Sequence, residues 1–122
     1  MRVRYLLLAL GTIAVGLLIH FRGGFLPPAA RDVLGDALWA TMIVWWTGVA
    51  APRLSLRLRG LFAFAICVAV EVSQAYHTPS LDALRHTVPG QLILGSGYDP
   101  RDFFAYAAGV VAAVVLARAV VE

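Results

Sequence analysis

Four long apolar segments, separated by short polar connections, account for most of the chain. They cover residues 5–21, 35–51, 60–76 and about 102–121. A transmembrane helix needs about 20 mostly apolar residues, within a range of about 17–25. The pattern therefore predicts an all-α membrane protein, a bundle of four transmembrane helices in a single domain that covers residues 1–122.

The connection between the third and fourth apolar segments is the longest and carries a helical pattern of its own. Within "SLDALRHTV", Leu81, Leu84 and Val88 recur at helical spacing, and Ser80 is suited to cap the start of a helix. This segment is much too short to span a bilayer. We expect a short amphipathic helix at the membrane interface, between transmembrane helices 3 and 4.

Composition supports the membrane class and argues against nucleic acid. Hydrophobic residues make up 61% of the 122 positions and charged residues 14%, and the mean hydropathy is +0.81. Soluble domains have about 45–50% apolar and about 25% charged residues. The net charge of +3 is the balance of ten arginines and seven acidic residues, and the arginines are scattered between the apolar segments and form no stripe. Membrane lipids, and no nucleic acid, are therefore the expected partners.

The distribution of the arginines predicts the orientation. Cytoplasmic loops of membrane proteins carry an excess of Lys and Arg. The loop "PRLSLRLRG" at residues 52–60 is short, close to two segments and free of acidic residues. We therefore expect both termini and this loop on the cytoplasmic side.

Each predicted helix has ionisable or hydrogen-bonding residues near its outer end, whereas the cytoplasmic halves of the helices carry no comparable group of such residues. Ionisable groups inside a membrane pair with one another or line a wet cavity. Small residues accompany these groups at helical spacing, so their faces are predicted to point into the bundle. We expect an outward-facing polar pocket, with Arg22 as the nearest counter-charge, built from His20, Arg22, Asp36, Glu71, Gln74, Asp102 and Tyr106.

Purely structural roles compete with this interpretation. Asp36 and Asp102 could each serve the start of a helix, with Asp99 as the cap before Asp102. Tyr106 could be an interfacial aromatic residue, and Glu71 could hydrogen-bond a neighbouring helix. No pair of candidate ligands has a diagnostic metal spacing. We expect neither a metal nor a cofactor.

Three short motifs together resemble a known superfamily. They are "GDALW" at 35–39, "EVSQ" at 71–74 and "LGSGYDPRDFFAYAAG" at 94–109. In this order they are similar to small uncharacterised bacterial inner-membrane proteins, with a domain of unknown function, of the VanZ-like superfamily. The resemblance implies a location in the bacterial inner membrane and a cell-envelope role. It also implies functional roles for Asp36, Glu71, Gln74, Asp102, Tyr106 and Gly109.

Three functions fit the predicted pocket. The first is the binding of a lipid or a lipid-linked cell-envelope precursor through its head group, with arginines meeting phosphate. The second is an enzyme in which Glu71 and Asp102 divide acid and base work on a lipid. The third is a small proton-coupled transporter, for which polar access from both sides is expected. The residues alone select no ligand, reaction or oligomeric state.

Overall fold

All regular secondary structure in the described part of the chain is helical. A computed structural model describes residues 1–73, 79–87, 89 and 100–122. Its helices are α1 (Arg2–Arg22), a 3-10 turn (Gly23–Phe25), α2 (Pro28–Ala50), α3 (Leu56–Ser73), α4 (Pro79–Arg85) and α5 (Asp102–Val120). These residues contain no strand, which confirms the all-α fold class.

Three of the helices among the described residues are long and apolar enough to cross a membrane. They are α1 together with the 3-10 turn (Arg2–Phe25), α2 and α5. Helix α3 contains Arg57, Arg59 and Glu71 within its 18 residues and does not meet the same criterion. Three of the four predicted segments are therefore confirmed as helices that are long and apolar enough to span a membrane. The fourth span and the interfacial position of α4 stay predictions.

Helix α2 begins at a proline, and Ser80 lies within a helix. Helix α2 starts at Pro28, before the apolar run that begins at Gly35, and both Pro79 and Ser80 are helical residues of α4. Proline suits the first helical position because its missing N–H would be unpaired there and its φ is already helical. Ser80 therefore lies inside α4, and its predicted role as the helix cap is wrong.

Helix α2 lies at the centre of the bundle, in contact with α1, α3 and α5, and α3 also packs against α5. Two glycines permit the closest approaches. A Cβ atom on Gly109 would lie 2.3 Å from the carbonyl oxygen of Ala37, and one on Gly48 would lie 2.5 Å from the ring of Tyr5. The small residues predicted on α5 thus bring its backbone against that of α2.

The outer surfaces of the helices are apolar. Leu18 on α1, Phe104 on α5 and Val115 on α5 have exposed fractions of 61%, 80% and 63%. Apolar patches of this kind are rare on soluble monomers. Their presence on the long helices indicates surfaces that face lipid.

The two ends of the bundle differ in their charged residues. At the end where α2 and α5 begin and α3 finishes, Glu71 is hydrogen-bonded to Tyr106. We call this the acidic end. At the opposite end, where α1 and α3 begin and α5 finishes, Arg59 is paired with Glu122. We call this the arginine-rich end, because it also holds Arg2, Arg4, Arg53, Arg57 and Arg118.

Candidate functional site

A buried hydrogen bond joins α3 to α5 at the acidic end. The hydroxyl of Tyr106 donates to Oε2 of Glu71 at a distance of 2.8 Å. The two residues are 2% and 0% exposed. Glu71 continues the buried face of α3 that contains Ala63 and Cys67, as helical spacing predicts. The carboxyl group of Glu71 is therefore directed into the bundle and not toward lipid.

A second pair of carboxyl groups joins α2 to α5 at the same end. The side chains of Asp36 and Asp102 lie within hydrogen-bonding reach of each other, and both are partly buried. Two carboxyl groups can hydrogen-bond only when one of them carries a proton. Helices α2 and α5 thus bring two carboxyl groups together at the acidic end.

The alternative role at a helix start does not fit the position of Asp36 and fits that of Asp102. Asp36 lies roughly two turns inside α2, whose first residue is Pro28. Asp102 is the first residue of α5, where a negative charge suits the helix dipole. The residue before it, Arg101, occupies the cap position, and the predicted cap Asp99 lies outside the described residues.

The two pairs form one group, which we call the carboxyl cluster: Asp36, Glu71, Asp102 and Tyr106. The charges of Asp102, Glu71 and Asp32 all act on Asp36. Like charges repel strongly where water is scarce. The cluster is therefore suited to hold protons or to accept hydrogen bonds from a positively charged or hydroxyl-bearing ligand.

Other residues of the predicted pocket are placed differently. His20 is partly buried with its ring edge-on to Phe21, and Arg22 is exposed. Within the described ranges, neither forms a hydrogen bond to another helix or an ion pair. The part of both residues in the site stays a prediction. Gln74 lies outside the described residues.

Thr41 is a polar contact of the α2–α5 interface that the sequence analysis missed. Its hydroxyl lies 2.9 Å from the carbonyl oxygen of Ala37 and 3.1 Å from that of Gly109. Gly109 permits this contact because a side chain there would strike α2. A threonine beside a small-residue stripe on a neighbouring helix is a signal that could have identified it.

A second buried polar group lies at the arginine-rich end, contrary to the expectation that this half carries nothing comparable. Arg59 is fully buried and donates from Nη2 to Glu122 at 2.6 Å and from Nε to the carbonyl oxygen of Leu54 at 3.1 Å. Its guanidinium lies 5.1 Å from the centre of the Tyr5 ring, and the Tyr5 hydroxyl donates to Glu122. This group ties α1, α3 and the end of α5 together.

The electrostatics of Glu122 follow from these contacts. Partial burial acts to raise the pKa of Glu122, but the hydrogen bonds from Tyr5 and Arg59 and the charge of Arg59 outweigh it. The pKa of Glu122 is consequently held below its ordinary value. Its ionised form is therefore a source of folded-state stability.

The fold and the two polar groups define a class of protein. Three long apolar helices with lipid-suited surfaces, and polar side chains gathered inside the bundle, indicate a helical membrane protein. In the described part of the chain, no three His, Cys, Asp or Glu side chains are grouped so that they could hold a metal ion.

The family described as "Protein of unknown function (DUF2809)" matches residues 25–110, and the chain belongs to this family. The match covers α2, α3, α4 and the start of α5, which include every member of the carboxyl cluster. The expectation of an uncharacterised domain is confirmed. The match makes no connection to the VanZ-like superfamily. No solved structure matches the chain.

Proposed function

We propose that this membrane protein uses the carboxyl cluster to bind the polar head group of a lipid or of a lipid-linked cell-envelope precursor. The observation that carries the proposal is the convergence of Glu71, Asp36 and Asp102 from three helices at one end of the bundle. Buried ionisable groups are costly in a membrane protein, and their use as a binding site accounts for that cost.

The chemistry of the cluster favours a head group that donates hydrogen bonds. Carboxylate and carboxyl oxygens accept from ammonium and hydroxyl groups, and they repel phosphate. Arg85 contacts the end of α3, where its Nη2 donates to the carbonyl oxygen of Ser73 at 2.9 Å, and its Nη1 lies 3.4 Å from Oδ1 of Asp82. An amine-bearing phospholipid head group would place its ammonium group at the carboxyl groups and its phosphate toward this arginine.

The same proposal includes α3 as the fourth membrane span. Two of its three charged residues, Arg59 and Glu71, are fully buried and paired inside the bundle. Its exposed residues include Leu61, Phe62 and Ile66. The number of charged residues counts against α3 as a span, although lipid does not contact the two that are buried. With four spans, the arginine-rich end is cytoplasmic, and the acidic end faces outward.

The proposed place in the bacterial inner membrane and in the VanZ-like superfamily rests on the three sequence motifs. The four-span topology can be tested by labelling single cysteines, placed at Ser55 and at Ser80 in a Cys67→Ala background, with a membrane-impermeant reagent. Labelling of the cysteine at 80 alone in whole cells supports the topology. Equal labelling at both positions contradicts it.

Lipid binding is tested by native mass spectrometry of the detergent-solubilised chain with phosphatidylethanolamine as the probe. We expect Glu71→Gln and Asp36→Asn to weaken binding at least tenfold. Asp32→Asn is the matched control, because Asp32 lies one turn earlier on α2 and is exposed. Each variant is compared with the wild type by circular dichroism and thermal melting.

Two outcomes would refute the binding role. One is unchanged phosphatidylethanolamine affinity in folded Glu71→Gln and Asp36→Asn proteins. The other is an equal loss of affinity in Asp32→Asn, because a general change of surface charge would then explain the effect. If Glu71→Gln fails to fold, the Asp36→Asn protein decides the case.

An enzymatic role is the second candidate, and one observation favours it. Glu71 accepts a hydrogen bond from a phenol, whereas Asp102 faces another carboxyl group. Two carboxyl groups in different surroundings can divide the acid and base steps of a reaction. Conversion of the bound lipid by the wild type, but not by Asp102→Asn, would support it. The transporter stays a prediction without an observation of this kind.

A further inference from the structure

A groove lies on the bundle surface at the arginine-rich end, far from the carboxyl cluster. It has a volume of about 450 Å³ and is formed by the first turn of α3 and the last turns of α5. Its lining residues are Arg57, Val114, Val115, Arg118 and Ala119. The two arginine side chains therefore lie beside an apolar strip, which consists of Val114, Val115 and Ala119.

The positive charge of the groove is not neutralised by its own lining, which contains no acidic residue. The carboxylate of Glu122 interacts with the charge of Arg118, but its hydrogen bonds come from Arg59 and Tyr5. Among the residues that the structure describes, no acidic side chain lies at ion-pairing distance from Arg57 or Arg118. These two guanidinium groups therefore remain available to an anion.

The apolar strip belongs to a helix that is long and apolar enough to cross a membrane. Val115 is 63% exposed, and Arg118 follows it by about one turn toward the end of α5. This order, hydrocarbon first and cation next, matches the order of acyl chain and phosphate in a phospholipid at the edge of a bilayer. A soluble anion would use only the arginines and would leave the valines exposed.

We propose that this groove binds an anionic phospholipid. Its phosphate lies between Arg57 and Arg118, and the upper part of an acyl chain covers Val114, Val115 and Ala119. Arginine suits this task because its planar guanidinium group donates two parallel hydrogen bonds to phosphate oxygens. A lipid with net negative charge is favoured over a zwitterionic one, because the groove offers two cations and no carboxylate to receive an ammonium group.

The proposal is tested with the full chain in detergent by native mass spectrometry, with phosphatidylglycerol as the probe and phosphatidylcholine as the neutral comparison. We expect Arg57→Gln/Arg118→Gln to lose about 30-fold in phosphatidylglycerol affinity, since each arginine beside an anionic lipid contributes roughly fivefold. Phosphatidylcholine binding should stay unchanged.

Arg2→Gln/Arg4→Gln is the matched control, because it removes the same charge at the same end but outside the groove. Equal losses in the two double variants would overturn the proposal, because a diffuse surface potential would then explain the binding. The absence of a preference for phosphatidylglycerol in the wild type would overturn it as well.

A third variant tests the apolar strip and guards against misfolding. Ala119→Trp keeps both arginines and fills the groove, and Ala119 is exposed, so the bundle should tolerate the change. We expect phosphatidylglycerol affinity to fall at least fivefold while glycerol 1-phosphate, which has no acyl chain, binds weakly to both proteins. Unchanged phosphatidylglycerol affinity in Ala119→Trp, or glycerol 1-phosphate binding as tight as the lipid, would contradict a lipid groove.

Discussion

Gly109→Ala should weaken the contact on which the carboxyl cluster depends. The new Cβ atom would lie 2.3 Å from the carbonyl oxygen of Ala37, 2.9 Å from its Cα and 3.0 Å from its carbonyl carbon. All three are backbone atoms of α2, so no side-chain rotation can relieve the clash. Helices α2 and α5 must move apart by about 0.7 Å to bring the closest contact from 2.3 Å to 3.0 Å.

The cost can be estimated from the contacts at this interface. Overpacking a tight contact costs about 1–3 kcal/mol, and a gap of about 0.5–1 Å removes a quarter to a half of the dispersion energy across it. The hydrogen bond from Thr41 to Gly109, now 3.1 Å, would exceed bonding distance, with an average loss of about 0.6 kcal/mol. Better helix propensity returns up to about 1 kcal/mol. We expect a net loss of about 1–3 kcal/mol.

Equilibrium unfolding in mixed detergent micelles, followed by circular dichroism, measures this loss. Gly35→Ala on α2 and Gly16→Ala on α1 are the controls, because a Cβ atom at either position meets nothing within 4 Å. Both should be neutral or stabilised by up to about 1 kcal/mol. A Gly109→Ala protein as stable as these controls would show that α2 and α5 do not approach as closely as described.

Three further changes test other contacts by the same unfolding assay. Tyr106→Phe removes the donor to Glu71 and should cost about 0.5–1.5 kcal/mol, whereas an unchanged stability would contradict a buried hydrogen bond there. Gly48→Ala places a Cβ atom 2.5 Å from the Tyr5 ring and should cost about 1–3 kcal/mol, and a gain in stability would contradict that packing. Because the pKa of Glu122 is lowered on folding, its contribution is present above the unfolded value of about 4.3 and is lost as pH falls. The stability difference between wild type and Glu122→Gln should therefore shrink below that pH, and a constant difference from pH 7 to pH 3 would refute the reasoning.

The apolar helices and the buried face of α3 were predicted from the sequence, because both depend on the local pattern of residues along one helix. Long apolar runs identify α1, α2 and α5 because a helix that faces lipid must be apolar over most of its length. The inward direction of Glu71 followed from its spacing to Ala63 and Cys67 on the same face. Helical periodicity and hydropathy are properties of neighbouring residues, so a single sequence contains them.

The group at the arginine-rich end could not be predicted in the same way. Arg59 follows Arg57 in a short basic loop, and its pattern is that of a solvated topology signal. Its burial depends on Glu122 and Tyr5, which lie 63 and 54 residues away from it along the chain and meet it only after the helices pack. No spacing rule connects residues on three different helices, and so the pairing is a result of tertiary structure alone.

The opposite charges of the two ends make the two binding proposals independent of each other. A cluster of carboxyl groups selects a head group with a positive or donor group, whereas paired arginines select a net anion. Loss of phosphatidylethanolamine binding in Glu71→Gln should therefore leave phosphatidylglycerol binding at the groove intact, and Arg57→Gln/Arg118→Gln should show the reverse. If either variant lowered the affinity for both lipids equally, the common cause would be a change in the bundle as a whole. The concentration of buried carboxyl groups at one end and of arginines at the other would then serve assembly or orientation and would not create two lipid sites.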